Sequence, residues 1–353
     1  MTQNKSLYTA RQVRNDEYYT RIEDIEAELK HYADDYFRDK VVLCNCNDGL
    51  HSNFWKYFHK HFKEKGMKHL IGISYSRDGY GCVYSYTGKG ADEDENCCTV
   101  VQLRGHGDFR EAECIEYLRG ADIVVTNPPF SLLREYLLQL VQYKKNFIIV
   151  GTINIVVYKD VFPLIQSNKI WLGVKGWCIT YFEVPAEQAE FFIKHKKEGS
   201  AYIKMDGAVL GRVSTIWVTN MEHNRRRERL QLTKFYNDIE YPQYDNYTAI
   251  NVDRVRDIPK DYKGVMGVPI SFLDKYNVEQ FEIVGCTIRG YTGAVLRKHA
   301  PQYYLGYKRG CKQTCMDSYL PLMSADYKGG TLCTRDNSAD LRQLYYRLFI
   351  KRK

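Results

Sequence analysis

The sequence predicts an α/β fold: a mostly parallel sheet with helices on both faces, followed by a smaller C-terminal mixed module. Three observations predict it. Short apolar runs alternate with helical periodicities from Asp24 to Val150, the pattern of βαβ units. After Gly151 that alternation gives way to β-branched and aromatic runs, and near Glu222 the composition turns rich in Arg, Lys and Tyr.

The elements follow in order. Ile25, Leu29, Tyr32 and Tyr36 recur at helical spacing and predict a helix over Asp24–Phe37. Val41-Val42-Leu43-Cys44 is a short apolar run, the signature of a buried strand, and Asn45 to Gly49 is turn chemistry. Ser52 or Asn53 is placed to cap the next helix, which carries Phe54, Trp55, Tyr57, Phe58 and Phe62. Leu70–Ile73 is a second strand, Asp78–Asn96 an exposed loop or hairpin, and Thr99–Leu103 a third strand. A helix over Glu111–Leu118 precedes a fourth strand, Ala121–Thr126. The apolar helix Ser131–Tyr143 leads to a fifth strand, Phe147–Val150. Ile170–Glu183 and Val213–Asn220 are expected to close the sheet as antiparallel strands. Ligands of such sheets sit at the carboxyl ends of the strands. The Asn45–Gly49 loop, the loop after Leu103, and Asn127–Phe130 are therefore expected along one rim. The boundary is placed after Glu222, giving domains 1–222 and 223–353. Leu344–Ile350 is a final strand or helix.

Charge divides the same way. Residues 1–150 carry 20 Lys+Arg against 22 Asp+Glu, whereas residues 151–353 carry 31 against 21, so the back half is the part suited to a polyanion. Arg225, Arg226, Arg227 and Arg229 are a compact basic cluster there. Arg254, Arg256, Arg289, Arg297, Lys298, Lys308 and Arg309 add charge, with Tyr303 and Tyr304 interleaved. No apolar run approaches the roughly 18 residues of a membrane helix, and Met1 to Arg14 lacks the apolar stretch of a secretory leader. Eleven cysteines, an odd number, fit reduced thiols in a cytoplasmic protein. Cys311, Cys315 and Cys333 lack a second tight pair, and no metal site is expected.

The sharpest motif is Asn127-Pro128-Pro129-Phe130, directly after the fourth strand. An amine conjugated to an aromatic ring is a poor nucleophile because its lone pair is delocalised. Two oxygen acceptors on its N–H groups favour a more tetrahedral nitrogen. The Asn127 side chain offers one and the Pro128 carbonyl the other. Proline fixes φ and lacks an N–H, so the turn is rigid. Phe130 supplies a ring to stack on the base. Positioning and polar stabilisation of this kind need no strong base.

Asn127–Phe130 matches the Asn/Asp-Pro-Pro-aromatic motif of amino methyltransferases, and Thr126 to Tyr136 resembles the EcoRI-type adenine-specific DNA methyltransferases. Asn15–Thr20, Val41–Asp48 with Ser52–Phe58, Gly107–Arg110, Asp257–Tyr262 and Gly264–Ile270 extend the resemblance over nearly the whole chain. It implies a Rossmann-like methyltransferase sheet and S-adenosylmethionine as cofactor. It also implies transfer of a methyl group to N6 of an adenine extruded from double-stranded DNA. Asn127, Pro128, Pro129 and Phe130 would hold the adenine. Tyr18, Tyr19, Thr20, Asn45, Asn47, Asp48, Asn53, Asp108 and Phe109 would line the cofactor site, Asp108 near its adenine. Arg225, Arg226, Arg227 and Arg229 would grip phosphate. The enzyme would be either solitary or matched by a separately acting restriction endonuclease.

Three departures accompany the resemblance. The Asn45–Gly49 loop has one glycine, Arg21 follows Thr20 where proline is common, and the second strand lacks a terminal acid, so no ribose ligand is assigned. Cys44 and Cys46 are read as packing residues, not nucleophiles. Methylation of a protein glutamine amide, methylation of RNA adenine, and an inactive DNA-binding relative stay open as alternatives.

Overall fold

A computed structural model describes residues 20–47, 49–88, 98–176, 178–184, 186–205, 207–244, 247–286, 333–335, 341–343 and 347–353. The chain divides into two compact units. One comprises the described residues up to Ile153 together with Gly173–Met221; the other comprises Asn154–Leu172 and the residues from Glu222 onward. The segment 154–172, which the sequence reading left in the first domain, thus belongs with the second unit. Its bonds explain this: Gln166 Nε2 donates to the Val284 carbonyl (2.9 Å), and His223 Nε2 lies 2.9 Å from the Leu172 carbonyl oxygen.

The first unit is built on a sheet whose central strands are β1 (Val41–Asn47), β2 (His69–Ser74), β5 (Ile123–Thr126) and β6 (Asn146–Thr152). Its order runs Thr99–Gln102 (β4), Cys82–Tyr86 (β3), β2, β1, β5, β6, and then the strand Ala208–Thr219. β1 pairs in parallel with β2 and with β5, and β5 in parallel with β6. Strands covered on both faces read as continuous apolar runs. Accordingly Val42, Leu43, Ile123, Val124, Val125, Ile148 and Ile149 are all buried. Cys178–Glu183 and Tyr202–Met205 pair antiparallel with Ala208–Thr219, which pairs antiparallel with β6. This is the expected closure of the sheet.

The flanking helices bury amphipathic faces. In the helix Leu133–Gln142, Leu133, Tyr136, Leu137 and Leu140 recur at helical spacing and are all buried. In the helix Asn53–Lys60, Ser52 is the cap: its Oγ accepts from the Phe54 N–H (3.2 Å). Phe54, Trp55 and Phe58 of that helix join the core with Phe37, Phe182 and Trp217.

Two expectations need correction. The segment 78–96, read as an exposed loop or hairpin, contributes the hairpin strand Cys82–Tyr86, antiparallel to β2. Thr99–Gln102 pairs antiparallel with it, as an exposed edge strand and not a member of the parallel core. The predicted helix Asp24–Phe37 is Ile22–Leu29 followed by a separate short turn, Asp34–Tyr36. The break falls at Ala33, which is extended (ψ 136).

Among the described residues, the second unit carries a seven-stranded mixed sheet. Tyr247–Asn251 is parallel to Met266–Pro269. Arg347–Arg352 lies antiparallel between Met266–Pro269 and Phe281–Cys286. The apolar run near the C-terminus is therefore a strand. Cys311, Cys315 and the basic and aromatic residues Arg289 to Arg309 lie outside the described residues. Among the described residues no helix is long and apolar enough to cross a membrane.

Candidate active site

β1 and β5 are neighbours, but the chain leaves β1 toward β2 on one side and β5 toward β6 on the other. Their carboxyl ends therefore form a topological switch point, where open α/β sheets bind ligands. The Asn127–Phe130 turn leaves β5 there. Thr126, the last residue of β5, donates from Oγ1 to the Asn45 carbonyl at the end of β1. The Leu132 N–H bonds the Pro129 carbonyl (2.9 Å) and closes the turn. Pro128 is buried, while Asn127, Pro129 and Phe130 are half-buried. The motif is thus at the rim, not in the core. Phe130 meets the buried Phe182 edge-on, with centroids 6.3 Å apart at 79°.

Two of the residues expected to line the cofactor site come together. Asn53 Nδ2 donates to the Thr20 carbonyl (2.9 Å), which brings residues 33 apart to the start of the helix after β1. Thr20 is 3% exposed, and its Oγ1 has no hydrogen-bond partner among the described residues. A buried hydroxyl in that condition costs free energy and suits a bound polar group. Asn45 turns its side chain inward. Its Oδ1 accepts from Tyr136 Oη inside the protein, where both side chains are buried. Cys46 beside it is a non-glycine residue at φ 61, in the left-handed region that costs energy and clusters at functional sites. Burial pushes the Cys44 and Cys46 thiols above the ordinary thiol range, which suits packing residues. Asn47 pairs with Ser74 in the sheet. Tyr18, Tyr19 and Asp48 lie outside the described residues.

The loop after β4 reaches the same rim. β4 runs in the same direction as β2, because two antiparallel pairings separate them. Gly107 has φ +83, and a Cβ there would stand 2.2 Å from the Ser74 carbonyl oxygen, so only glycine fits. The Glu111 carboxylate accepts from the His106 and Gly107 N–H groups (3.1 and 3.0 Å). Asp108 follows, and Arg110 grips both its oxygens, from Nε at 2.8 Å and from Nη2 at 2.6 Å. The Arg110 hydrogen bonds hold the Asp108 carboxyl below its ordinary range. Phe109 is buried edge-on against Tyr136, with centroids 5.0 Å apart. Gln139 Nε2 donates to the Phe109 carbonyl (3.0 Å).

Tyr136 therefore touches the ends of both loops from the helix that follows the Asn-Pro-Pro-Phe turn. The sequence reading gave it no role. A tyrosine on the apolar face formed by Leu133, Leu137 and Leu140 was the available signal, since a buried hydroxyl needs a partner.

The arginine cluster of the second unit divides. Arg226 lies over the Trp171 ring, 3.3 Å from its centroid, and bonds Glu222 and Asn168. Arg225 pairs with Asp274 (3.2 Å). Arg227 and Arg229 are exposed. Internal partners thus hold Arg225 and Arg226, whereas Arg227, 3.8 Å from Glu222, and Arg229 face outward.

Such a sheet, with an Asn-Pro-Pro-aromatic turn at its switch point, defines a Rossmann-like methyltransferase of exocyclic or amide nitrogen. The profile of the family described as adenine-specific methyltransferase EcoRI matches residues 6–353. The type II methyltransferase M.EcoRI of Escherichia coli is 45% identical over 298 residues, covering 80% of this chain and 89% of that protein. The type II methyltransferase M.MpnI of Mycoplasma pneumoniae is 37% identical over 300 residues, covering 82% and 90%. M.MgeORF184P of Mycoplasma genitalium is 35% identical over 285 residues, covering 80% and 86%. No solved structure matches. The chain belongs to the EcoRI-type adenine-specific methyltransferase family. It is a site-specific DNA adenine-N6 methyltransferase that uses S-adenosylmethionine.

Proposed function

We propose that the Asn127–Phe130 turn holds the extruded adenine, and that the first unit binds cofactor and performs transfer while the second grips DNA. The observation that carries this reading is the place of the turn, at the rim of β5 beside the end of β1. The Asn127 side-chain oxygen and the Pro128 carbonyl accept from the two N6–H groups, and Phe130 stacks on the base. When bound, the cofactor supplies an electrophilic methyl group on a sulfonium. Held by Asn127 and Pro128, the N6 lone pair would be presented toward the methyl group that the bound cofactor would supply. The N6 proton, acidic once the nitrogen is alkylated, leaves by way of the two acceptors to water. No covalent bond to the protein is needed. Closing the site against water strengthens both polar contacts.

Thr20, Asn53 and the loop through Asp48 fit the methionine end of the cofactor, and Asp108 with Phe109 its adenine. The exposed Arg227 and Arg229 suit phosphate contact. The designation of the relatives as type II methyltransferases supports a matching restriction endonuclease that acts separately. Free cysteines in the described residues suit work in the cytoplasm.

Asn127→Ala tests the reading. It should lower kcat at least 100-fold, a loss of about 3 kcal/mol of transition-state stabilisation, with cofactor and DNA affinities within a few-fold of the parent. An unchanged kcat overturns the assignment.

A further inference from the structure

The strand Cys82–Tyr86 stands between β2 and β4 and runs antiparallel to both, so it interrupts the parallel succession of the sheet. An aromatic ladder fastens it to the helix Asn53–Lys60, which follows the Asn45–Gly49 loop. Tyr84 meets the fully buried Trp55 edge-on, with centroids 6.2 Å apart at 62°. Trp55 stacks with His59 (6.1 Å, 27°), and His59 meets Tyr86 (4.2 Å). Tyr86 in turn lies edge-on to Phe62 (4.9 Å). Such pairs add geometric preference to the burial of the rings, so Tyr84 is held in place from behind.

The same Tyr84 ring is the wall against which the loop turns. Gly49, the one glycine of that loop, is buried at φ +49. A Cβ there would stand 2.4 Å from Tyr84 Cε2, 2.7 Å from Cζ and 2.9 Å from Oη. The backbone at this position therefore rests directly on the ring, and only glycine allows both the left-handed turn and the approach. The Gly49 carbonyl accepts from the Ser52 N–H (3.2 Å), and Ser52 caps the helix that begins with Asn53. Tyr84 thus bears on the segment that joins β1 to the Asn53–Thr20 contact.

We propose that Tyr84 is a positioning residue for S-adenosylmethionine: its ring fixes the turn at Gly49 and keeps the end of the loop in the shape that receives the cofactor. The proposal rests on the reading of this loop as part of the cofactor site. A loop ordered beforehand spares the ligand the entropy of ordering it on binding. With a single glycine the loop cannot draw its shape from a run of them, and the inserted strand supplies the constraint from outside. Tyr84 acts through Gly49, so its effect falls on cofactor affinity and not on the transfer step.

The test uses the full-length enzyme, with S-adenosylhomocysteine binding followed by calorimetry and steady-state kinetics at saturating DNA. Leucine at position 84 keeps an apolar contact for Trp55 but ends short of the ring atoms that Gly49 meets. Tyr84→Leu should raise the S-adenosylhomocysteine Kd and the cofactor KM about tenfold, with kcat and DNA affinity within about twofold of the parent. Tyr84→Phe, which keeps the ring, should bind like the parent. Parental affinity in Tyr84→Leu, a loss in kcat with KM unchanged, or an equal loss in Tyr84→Phe overturns the proposal. Gly49→Ala completes a double-mutant cycle: it should weaken binding in the parent and cost less in Tyr84→Leu, where the ring it would strike is gone. An equal cost in both backgrounds also overturns the proposal. Asn53→Ala separates the two readings. If it weakens S-adenosylhomocysteine binding while Tyr84→Leu does not, the role of Tyr84 fails and the cofactor site stands. If neither variant alters binding, the reading of the loop as cofactor site fails with it.

Discussion

Replacing Tyr136 by Phe removes one hydroxyl and nothing else. The ring remains against Phe109 and on the apolar face of its helix. What disappears is the hydrogen bond from Oη to Asn45 Oδ1, between two buried side chains 91 residues apart in sequence. A net hydrogen bond contributes about 1 kcal/mol, and an acceptor that loses its buried donor costs about 1–3 kcal/mol. A loss of about 2 kcal/mol in a unit of this size corresponds to a fall in Tm of roughly 4–8 °C. Asn45 ends the regular part of β1, next to the left-handed Cys46. Loosening it should therefore raise the cofactor KM more than it lowers kcat. Thermal unfolding with and without cofactor, followed by steady-state kinetics at saturating DNA, checks both parts. A Tm within 1 °C of the parent together with an unchanged cofactor KM would refute the idea that this bond fixes the rim.

Three further outcomes follow from the geometry. Glu28 is buried, and its carboxylate accepts from the Val174 and Lys175 N–H groups (2.8 Å each) and from Tyr32 Oη (2.9 Å). Glu28→Ala strands those donors and should cost about 3–5 kcal/mol; a denaturant midpoint like the parent's would dismiss the role. Arg110 keeps the Asp108 carboxyl depressed, so affinity drawn from the Asp108 anion is fully present above the ordinary carboxylate range and fades only as pH falls through the lowered value. Arg110→Ala should move the acid limb of cofactor binding to higher pH, measurable by calorimetric titration, and a limb that stays in place argues against the pairing. Arg227→Ala/Arg229→Ala should flatten the dependence of log K on log salt by about 2, at roughly 0.9 per phosphate contact. An unaltered slope returns both residues to ordinary surface.

What the amino-acid sequence determined by itself is the local chemistry. Asn127–Phe130 was legible because a strand of consecutive apolar residues must be buried and a Pro-Pro turn must end it; both follow from neighbours in the chain. Ser52 as a helix cap, and the apolar face around Leu137, are local in the same way. Tertiary structure decided what depends on which distant segments meet. That Thr99–Gln102 pairs antiparallel with Cys82–Tyr86 at the sheet edge, outside the parallel core, depends on which strands meet and is not written in either run. The surroundings of Arg226, made by Trp171, Glu222 and Asn168, are set by tertiary structure. The bond from Tyr136 to the Asn45 side-chain oxygen is equally invisible in the chain. A charge or an amide has the same composition whether it faces solvent or another side chain. Only the crossing of the chain, which brings residues tens of positions apart within hydrogen-bond distance, selects between the two.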